Sequence, residues 1–277
     1  MRHREDNFTG YGGINLYWQC WLPEEKPRAV LIIAHGLAEH GGRYGNIVDY
    51  FVPRGYAVYA LDHRGHGKSE GWRCYVEQFE HYVRDLEAFV NLAKQKQPES
   101  QVYVLGHSMG STISAAYVLQ NQAEIDGLIV TGATLKPGNS VTPVQIFMAR
   151  AISAVLPRIG VAALDAGSIS QDRDVVQAYI NDPLVYQGKV TARLGAELLK
   201  VMKQIRQRLA DIQLPVLIMH GTEDRLSDPQ SSQLMYDNVS SLDKTVLFYK
   251  GYHHEIHNEP GRNKVLADIE NWLEART

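Results

Sequence analysis

Val102-Tyr103-Val104-Leu105-Gly106-His107-Ser108-Met109-Gly110 is the stretch that decides how this chain is read. Four apolar residues of strand type run straight into a Gly-x-Ser-x-Gly turn, and Ser111 to Gln122 beyond it has helical length and periodicity. A strand that becomes a helix within so few residues must turn tightly. The serine at the apex is then forced into a strained backbone conformation, and only small residues two places before and after it avoid neighbouring backbone. The turn lifts the Ser108 hydroxyl above the strand ends. It also sets that hydroxyl at a helix N-terminus, which favours developing negative charge. Elsewhere Gly-x-Ser-x-Gly is an ordinary turn; between a buried strand and a helix it marks a nucleophile.

The same rhythm extends outward in both directions. Short apolar runs occur at Ala29 to Ala34, Ala57 to Leu61, Gly127 to Thr131, Val216 to Met219 and Thr245 to Tyr249. Runs of this kind, buried on both faces, suit a parallel sheet. Tyr44 to Pro53 and Phe79 to Gln97 are helical in length and spacing, so strand and helix alternate in a doubly wound α/β pattern. Upstream, Phe8-Thr9 and Ile14 to Trp21 alternate around Gly10, Gly12 and Gly13, which predicts an N-terminal antiparallel hairpin. Between Thr131 and Val216 no strand-like run is evident, and the interval is too long for a connection. Within it Val144, Phe147, Met148, Ala151, Ile152, Val155, Leu156 and Ile159 form an amphipathic stripe that Pro157 limits, and Thr191 to Leu209 reads as a second helix. The interval is therefore expected to be an inserted helical cap over residues 134–210, with 1–133 and 211–277 forming the core.

Composition narrows the function classes. With 44 % apolar and 21 % charged residues, the chain is neither disordered nor collagen-like. Its 28 Lys+Arg and 31 Asp+Glu leave a net charge of −3, so it lacks the basic field that nucleic acid requires. Cys20 and Cys74 cannot build a disulfide framework, which suits a reducing compartment. No signal-like apolar region opens the chain, and no stretch is apolar enough to span a membrane, so a cytoplasmic location is expected.

A serine hydroxyl needs a base, and the base needs an orienting acid. In α/β-hydrolases these follow in the order serine, acid, histidine, each after a later strand. Asp224, in His220-Gly221-Thr222-Glu223-Asp224, fits the acid, with Glu223 and Asp228 as competitors. Three histidines, His253, His254 and His257, lie past the last strand, and spacing does not choose among them. His253 and His257 stand four apart, but the residues between them break the H-E-x-x-H order and no third ligand follows, so no metal is expected. His63 and His66 read as loop-shaping residues. The oxyanion donors should be the amides of Met109, after the nucleophile, and Leu37, in the loop after the first parallel strand.

Four blocks carry a family likeness: His35-Gly36-Leu37-Ala38-Glu39-His40-Gly41-Gly42-Arg43-Tyr44, Leu61 to Gly71, Gly106 to Gly110 and His220 to Arg225. Together they resemble the monoacylglycerol lipase/lysophospholipase branch of the α/β-hydrolases, over nearly the whole chain. Ser111 departs from the glycine usual at that position. The resemblance implies an α/β-hydrolase fold with a mostly parallel sheet of about eight strands. It implies Ser108, Asp224 and His254 as the catalytic triad, Leu37 and Met109 as oxyanion donors, and Glu39, Arg43, Tyr179 and His257 as binders of the glycerol headgroup. On residue pattern alone, Glu39 and Arg43 also read as an i, i+4 surface ion pair. The expected partner is a small lipid ester, with no cofactor, and the outer face of the cap offers transient, peripheral contact with a membrane or lipid aggregate. A lysophospholipase, a general carboxylesterase, or a hydrolase-fold protein that only binds a lipid or partner are the competing readings.

Overall fold

The computed structural model describes residues 1–136 and 151–277. Its strands are β1 (Arg2–Thr9), β2 (Asn15–Leu22), β3 (Ala29–Ala34), β4 (Ala57–Leu61), β5 (Gln101–His107), β6 (Gly127–Thr131), β7 (Gly160–Ala162), β8 (Val190–Thr191), β9 (Val216–Gly221) and β10 (Lys244–Tyr249). Eight of them form one sheet in the order β1-β2-β4-β3-β5-β6-β9-β10. The β1–β2 and β2–β4 pairings are antiparallel; the others are parallel. This is the α/β-hydrolase fold that the motif order and the family likeness imply.

Two apolar layers sandwich the sheet, and the strand period of two assigns residues to them. Val30, Ile32, Val102, Val104, Val216 and Ile218 face one layer, which α2 (Glu80–Lys96) and α3 (Met109–Asn121) complete. Leu31, Ile33, Tyr103, Leu105, Leu217 and Met219 face the other. There α1 (Gly45–Phe51) supplies Ile47 and Phe51, and the C-terminal helix (Arg262–Glu274) supplies Val265, Ile269 and Leu273. Strand β5 lies between β3 and β6, so Ser108 leaves the middle of the sheet at its C-terminal edge.

The chain departs from the expected pattern in several places. β1 begins at Arg2, well before Phe8; its residues are almost all exposed, and its charges blunt a sheet edge. The interval after β6 contains strands where none was expected: β7 and β8 pair antiparallel, but at three and two residues they are too short for periodicity to register. It also contains α4 (Arg173–Asn181), capped by the Asp172 side chain on the Asp174 amide, before α5 (Ala192–Arg208). Two more helices follow: α6 (Gln230–Asn238) and, at the C-terminus, α7 (Arg262–Glu274).

Of the amphipathic stripe, Val144, Phe147 and Met148 lie outside the described residues. Residues 151–155 are helical, and the helix ends before Pro157 as expected. The described end of the stripe does not face inward, however. Val155, Leu156 and Ile159 are 78 %, 55 % and 47 % exposed, while Ser153, off the stripe, is buried. Among the described residues no helix is long and apolar enough to cross a membrane.

Candidate active site

Ser108 sits between β5 and α3 with φ 53° and ψ −118°, a left-handed conformation that side chains rarely adopt. Its N–H donates to the Thr131 carbonyl at 3.0 Å, which pins the turn to β6. The flanking glycines have no room for a side chain. A Cβ on Gly110 would stand 1.9 Å from the Ala34 carbonyl oxygen, and one on Gly106 would stand 2.6 Å from the Gly110 carbonyl oxygen. The sequence demand for small residues here is thus a demand of backbone packing.

Asp224 follows β9 and is buried; its rival Glu223 is exposed, and Asp228 accepts from the Gln230 amide at the start of α6. Asp224 Oδ1 accepts from the amides of Leu226 and Ser227 at 2.8 and 2.9 Å. Its Oδ2 lies 2.6 Å from His254 Nδ1. A carboxylate at that distance keeps the proton on Nδ1 and leaves Nε2 as the acceptor. Burial opposes charge on both groups, but their mutual attraction outweighs it: the Asp224 carboxyl lies well below its usual range and His254 is raised above the ordinary imidazole value. Neither His253 nor His257 is joined to this acid. His253 is tied through its backbone to Glu259, and His257 stacks on Tyr44 at 4.9 Å.

The loop after β3 approaches Ser108 from the other side. A Cβ on Gly36 would stand 2.7 Å from Glu39 Oε1 and 3.3 Å from Ser108 Cβ, so glycine lets the loop pack closely here. Ala38, at φ 66°, offers its carbonyl to the Tyr186 amide at 2.8 Å, which ties the loop to the insert. His35 holds the loop from below: Nδ1–H donates to the Gly36 carbonyl at 2.7 Å, and Nε2 accepts from the His63 amide at 2.9 Å. Burial pushes His35 well below the usual value, which matches this neutral form.

Leu37, Ser108, Met109, Tyr179 and His254 share the wall of one cavity of about 110 Å³, with Glu39 and Glu255 at its polar side. Leu164, Ile169 and Leu198 from the insert and Leu226 make the rest of the wall largely apolar. Among the described residues no hydrogen bond joins Ser108 to His254; such contacts often tighten only when substrate binds. A surface groove of about 360 Å³ between α2, α3 and α5 is larger, but it is lined by residues such as Glu80, Gln120 and Lys200 and by none of the groups above. Size alone does not make it a reactive site.

Glu39 and Arg43 are not a surface pair. Arg43 Nη1 lies 2.5 Å from Glu39 Oε2, and the guanidinium also grips Glu255 with two bonds of 2.6 and 2.8 Å. All three side chains are buried, and the Tyr179 ring covers the guanidinium at 4.6 Å. Burial raises the Glu39 carboxyl, whereas at Glu255 the bidentate Arg43 overcomes burial and lowers it. Glu39 Oε1 accepts from the Gly36 amide at 2.6 Å and from the Tyr44 hydroxyl at 2.9 Å. Of the four residues that the resemblance assigns to the headgroup, Glu39 and Tyr179 reach the cavity wall; Arg43 and His257 stand behind it. No motif marks Glu255, and its place directly after His254 is the one signal of its role in the sequence.

The site thus sets a serine on a strained turn and an acid-held histidine on the wall of one cavity. Comparison with known proteins points the same way. Residues 25–261 match the family described as serine aminopeptidase, S33. A monoacylglycerol lipase from Mycolicibacterium smegmatis is 38 % identical over 97 % of this chain and 96 % of its own. A monoglyceride lipase from Rattus norvegicus is 33 % identical over 95 % of this chain and 88 % of its own. The crystal structure of a monoacylglycerol lipase from Paleococcus ferrophilus superposes with a TM-score of 0.84 at 26 % identity, covering both chains fully.

Proposed function

The chain belongs to the monoacylglycerol lipase family of α/β-hydrolases and is a carboxylic ester hydrolase, and from that premise we propose that it cleaves monoacylglycerols through Ser108, His254 and Asp224. The observation that carries this reading is the 2.6 Å bond from His254 Nδ1 to Asp224 beside the cavity that Ser108 lines. His254 Nε2 takes the Ser108 proton as the oxygen attacks the ester carbonyl, and Asp224 stabilises the imidazolium. The Leu37 and Met109 amides receive the oxyanion. His254 then protonates the departing glycerol oxygen, and water repeats the sequence on the acyl-enzyme. No step calls on a cofactor.

Glu39, which reaches the cavity, is placed to meet glycerol hydroxyls, with Tyr179 beside it. Arg43 and His257 act on the headgroup only through the side chains in front of them. Residues 134–210 serve as the cap. A cavity of about 110 Å³ is small for a lipid, so the acyl chain leaves it past the apolar wall that Leu164, Ile169 and Leu198 form. The exposed Val155, Leu156 and Ile159 give the cap an apolar face for transient contact with lipid aggregates. A substrate panel tests the reading: monoolein should exceed lysophosphatidylcholine, triolein and short esters in kcat/KM. A preference for any of the others would replace the proposed substrate.

A further inference from the structure

We propose that His220 is a positioning residue for the acid of the site, because it and His254 bring two ring N–H groups to one oxygen, Asp224 Oδ2. The inference rests on the roles proposed above for Ser108, Asp224 and His254, and adds a side chain behind them.

His220 lies in β9, four residues before Asp224, and its side chain is fully buried. Its Nε2 is 2.9 Å from Asp224 Oδ2 and 3.3 Å from the Ser227 carbonyl oxygen. Both neighbours are acceptors, so Nε2 must carry the proton; a lone pair facing a carboxylate there would be repelled. Nδ1 is 2.7 Å from Ser232 Oγ in α6, and with the proton on Nε2 it accepts from that hydroxyl. A hydrogen-bonded chain thus runs from Ser232 through His220 and Asp224 to His254. The groups around Asp224 come from four elements: β9 through His220, its own turn, the His254 loop after β10 and, through Ser232, α6; His254 in turn faces the His107 ring at 4.7 Å and the carboxylates of Glu255 and Glu39.

The consequence is geometric first. The Leu226 and Ser227 amides hold Oδ1, and His220 holds Oδ2, so the carboxylate cannot rotate away from His254. A second consequence concerns basicity. An oxygen that already accepts from His220 gives less to His254, so His220 fixes the acid while moderating its pull on the imidazolium.

The test uses the full chain and a p-nitrophenyl ester, with His220→Leu, His220→Gln and Ser232→Ala compared across the acid limb of the pH–rate profile. His220→Leu should lower kcat on the order of 10²-fold with KM unchanged, the effect of a misplaced catalytic group. Its acid limb should move to higher pH, because Asp224 has lost a competing donor. His220→Gln keeps an N–H near the Nε2 position and should restore most of kcat and the original limb. Wild-type kcat and limb in His220→Leu would overturn the inference. So would equal losses in His220→Leu and His220→Gln with the limb unmoved, since that is the mark of a purely structural residue. Should His220→Leu fail to melt cooperatively, Ser232→Ala decides: lower kcat at unchanged KM with a shifted limb supports the role, and unchanged kcat overturns it. Asp224→Asn is the control for the underlying reading, because full activity in that variant would remove the acid itself.

Discussion

Arg43 and Glu255 stand 212 positions apart in sequence and meet through two parallel N–H···O bonds of 2.6 and 2.8 Å. Glu255 is the neighbour of His254, and Arg43 lies on the segment that follows the Gly36 loop. The pair therefore ties the histidine loop to the loop that carries Leu37. Its burial changes what removing it should do. Arg43→Ala leaves two carboxylates without their cation, and loss of one partner from a buried pair costs about 3–5 kcal/mol. Chemical denaturation should show that loss. Arg43→Lys should recover little of it, because an ammonium cannot reproduce the fork. Activity should fall on monoolein and on a p-nitrophenyl ester alike. A loss confined to monoolein would instead mean that the guanidinium itself binds glycerol.

The His254–Asp224 bond sets a pH dependence. His254 must be neutral to accept the Ser108 proton, and its value is raised above the ordinary 6.5, with burial opposing and Asp224 prevailing. The acid limb of kcat/KM should therefore have its midpoint above 6.5. Asp224→Asn should move that midpoint down and lower kcat about 10⁴-fold, as in other triads. Stability runs the opposite way for the histidine. Its contribution is complete below the unfolded-state value and is lost as pH rises through the raised folded value. For Asp224, which is depressed, the contribution is present above the unfolded value and is lost in acid. The histidine's share of stability thus fades over the range in which activity appears, which paired pH–rate and pH–melting curves would reveal.

Backbone crowding at the nucleophile turn gives a third expectation. Gly110→Ala would drive a Cβ to 1.9 Å from the Ala34 carbonyl oxygen, and two backbones cannot separate as a flexible side chain would. The variant should lose about 3 kcal/mol or more, at or beyond the upper end of ordinary overpacking. Thermal melting would measure it. An unchanged Tm would mean that α3 can slide away from β3.

What the chain discloses before folding depends on burial. β3, β4, β5, β6 and β9 are buried on both faces, so each appears as an uninterrupted apolar run. Arg2 to Asn7 of β1 touch solvent and carry charges, so nothing in them signals a strand. In α4 only Tyr179 is buried, which leaves the Asp172 cap as the main local cue. The candidate site shows the same division. Ser108 and Asp224 sit in motifs whose spacing reflects a local turn. Telling His254 from its neighbours depended on family likeness, because the three histidines differ only in what they touch in space. Arg43 with Glu255, and His220 with Asp224, are relations of tertiary packing. No periodicity records them.

Covalent labelling with a fluorophosphonate, followed by peptide mass spectrometry and paired with monoolein turnover, tests the central claim most directly. The predicted result is one adduct, on the peptide that contains Ser108. Ser108→Ala should show no labelling, a turnover lower by several orders of magnitude and an unchanged melting curve. An adduct on another residue, or a folded Ser108→Ala that still hydrolyses monoolein at the wild-type rate, would contradict it.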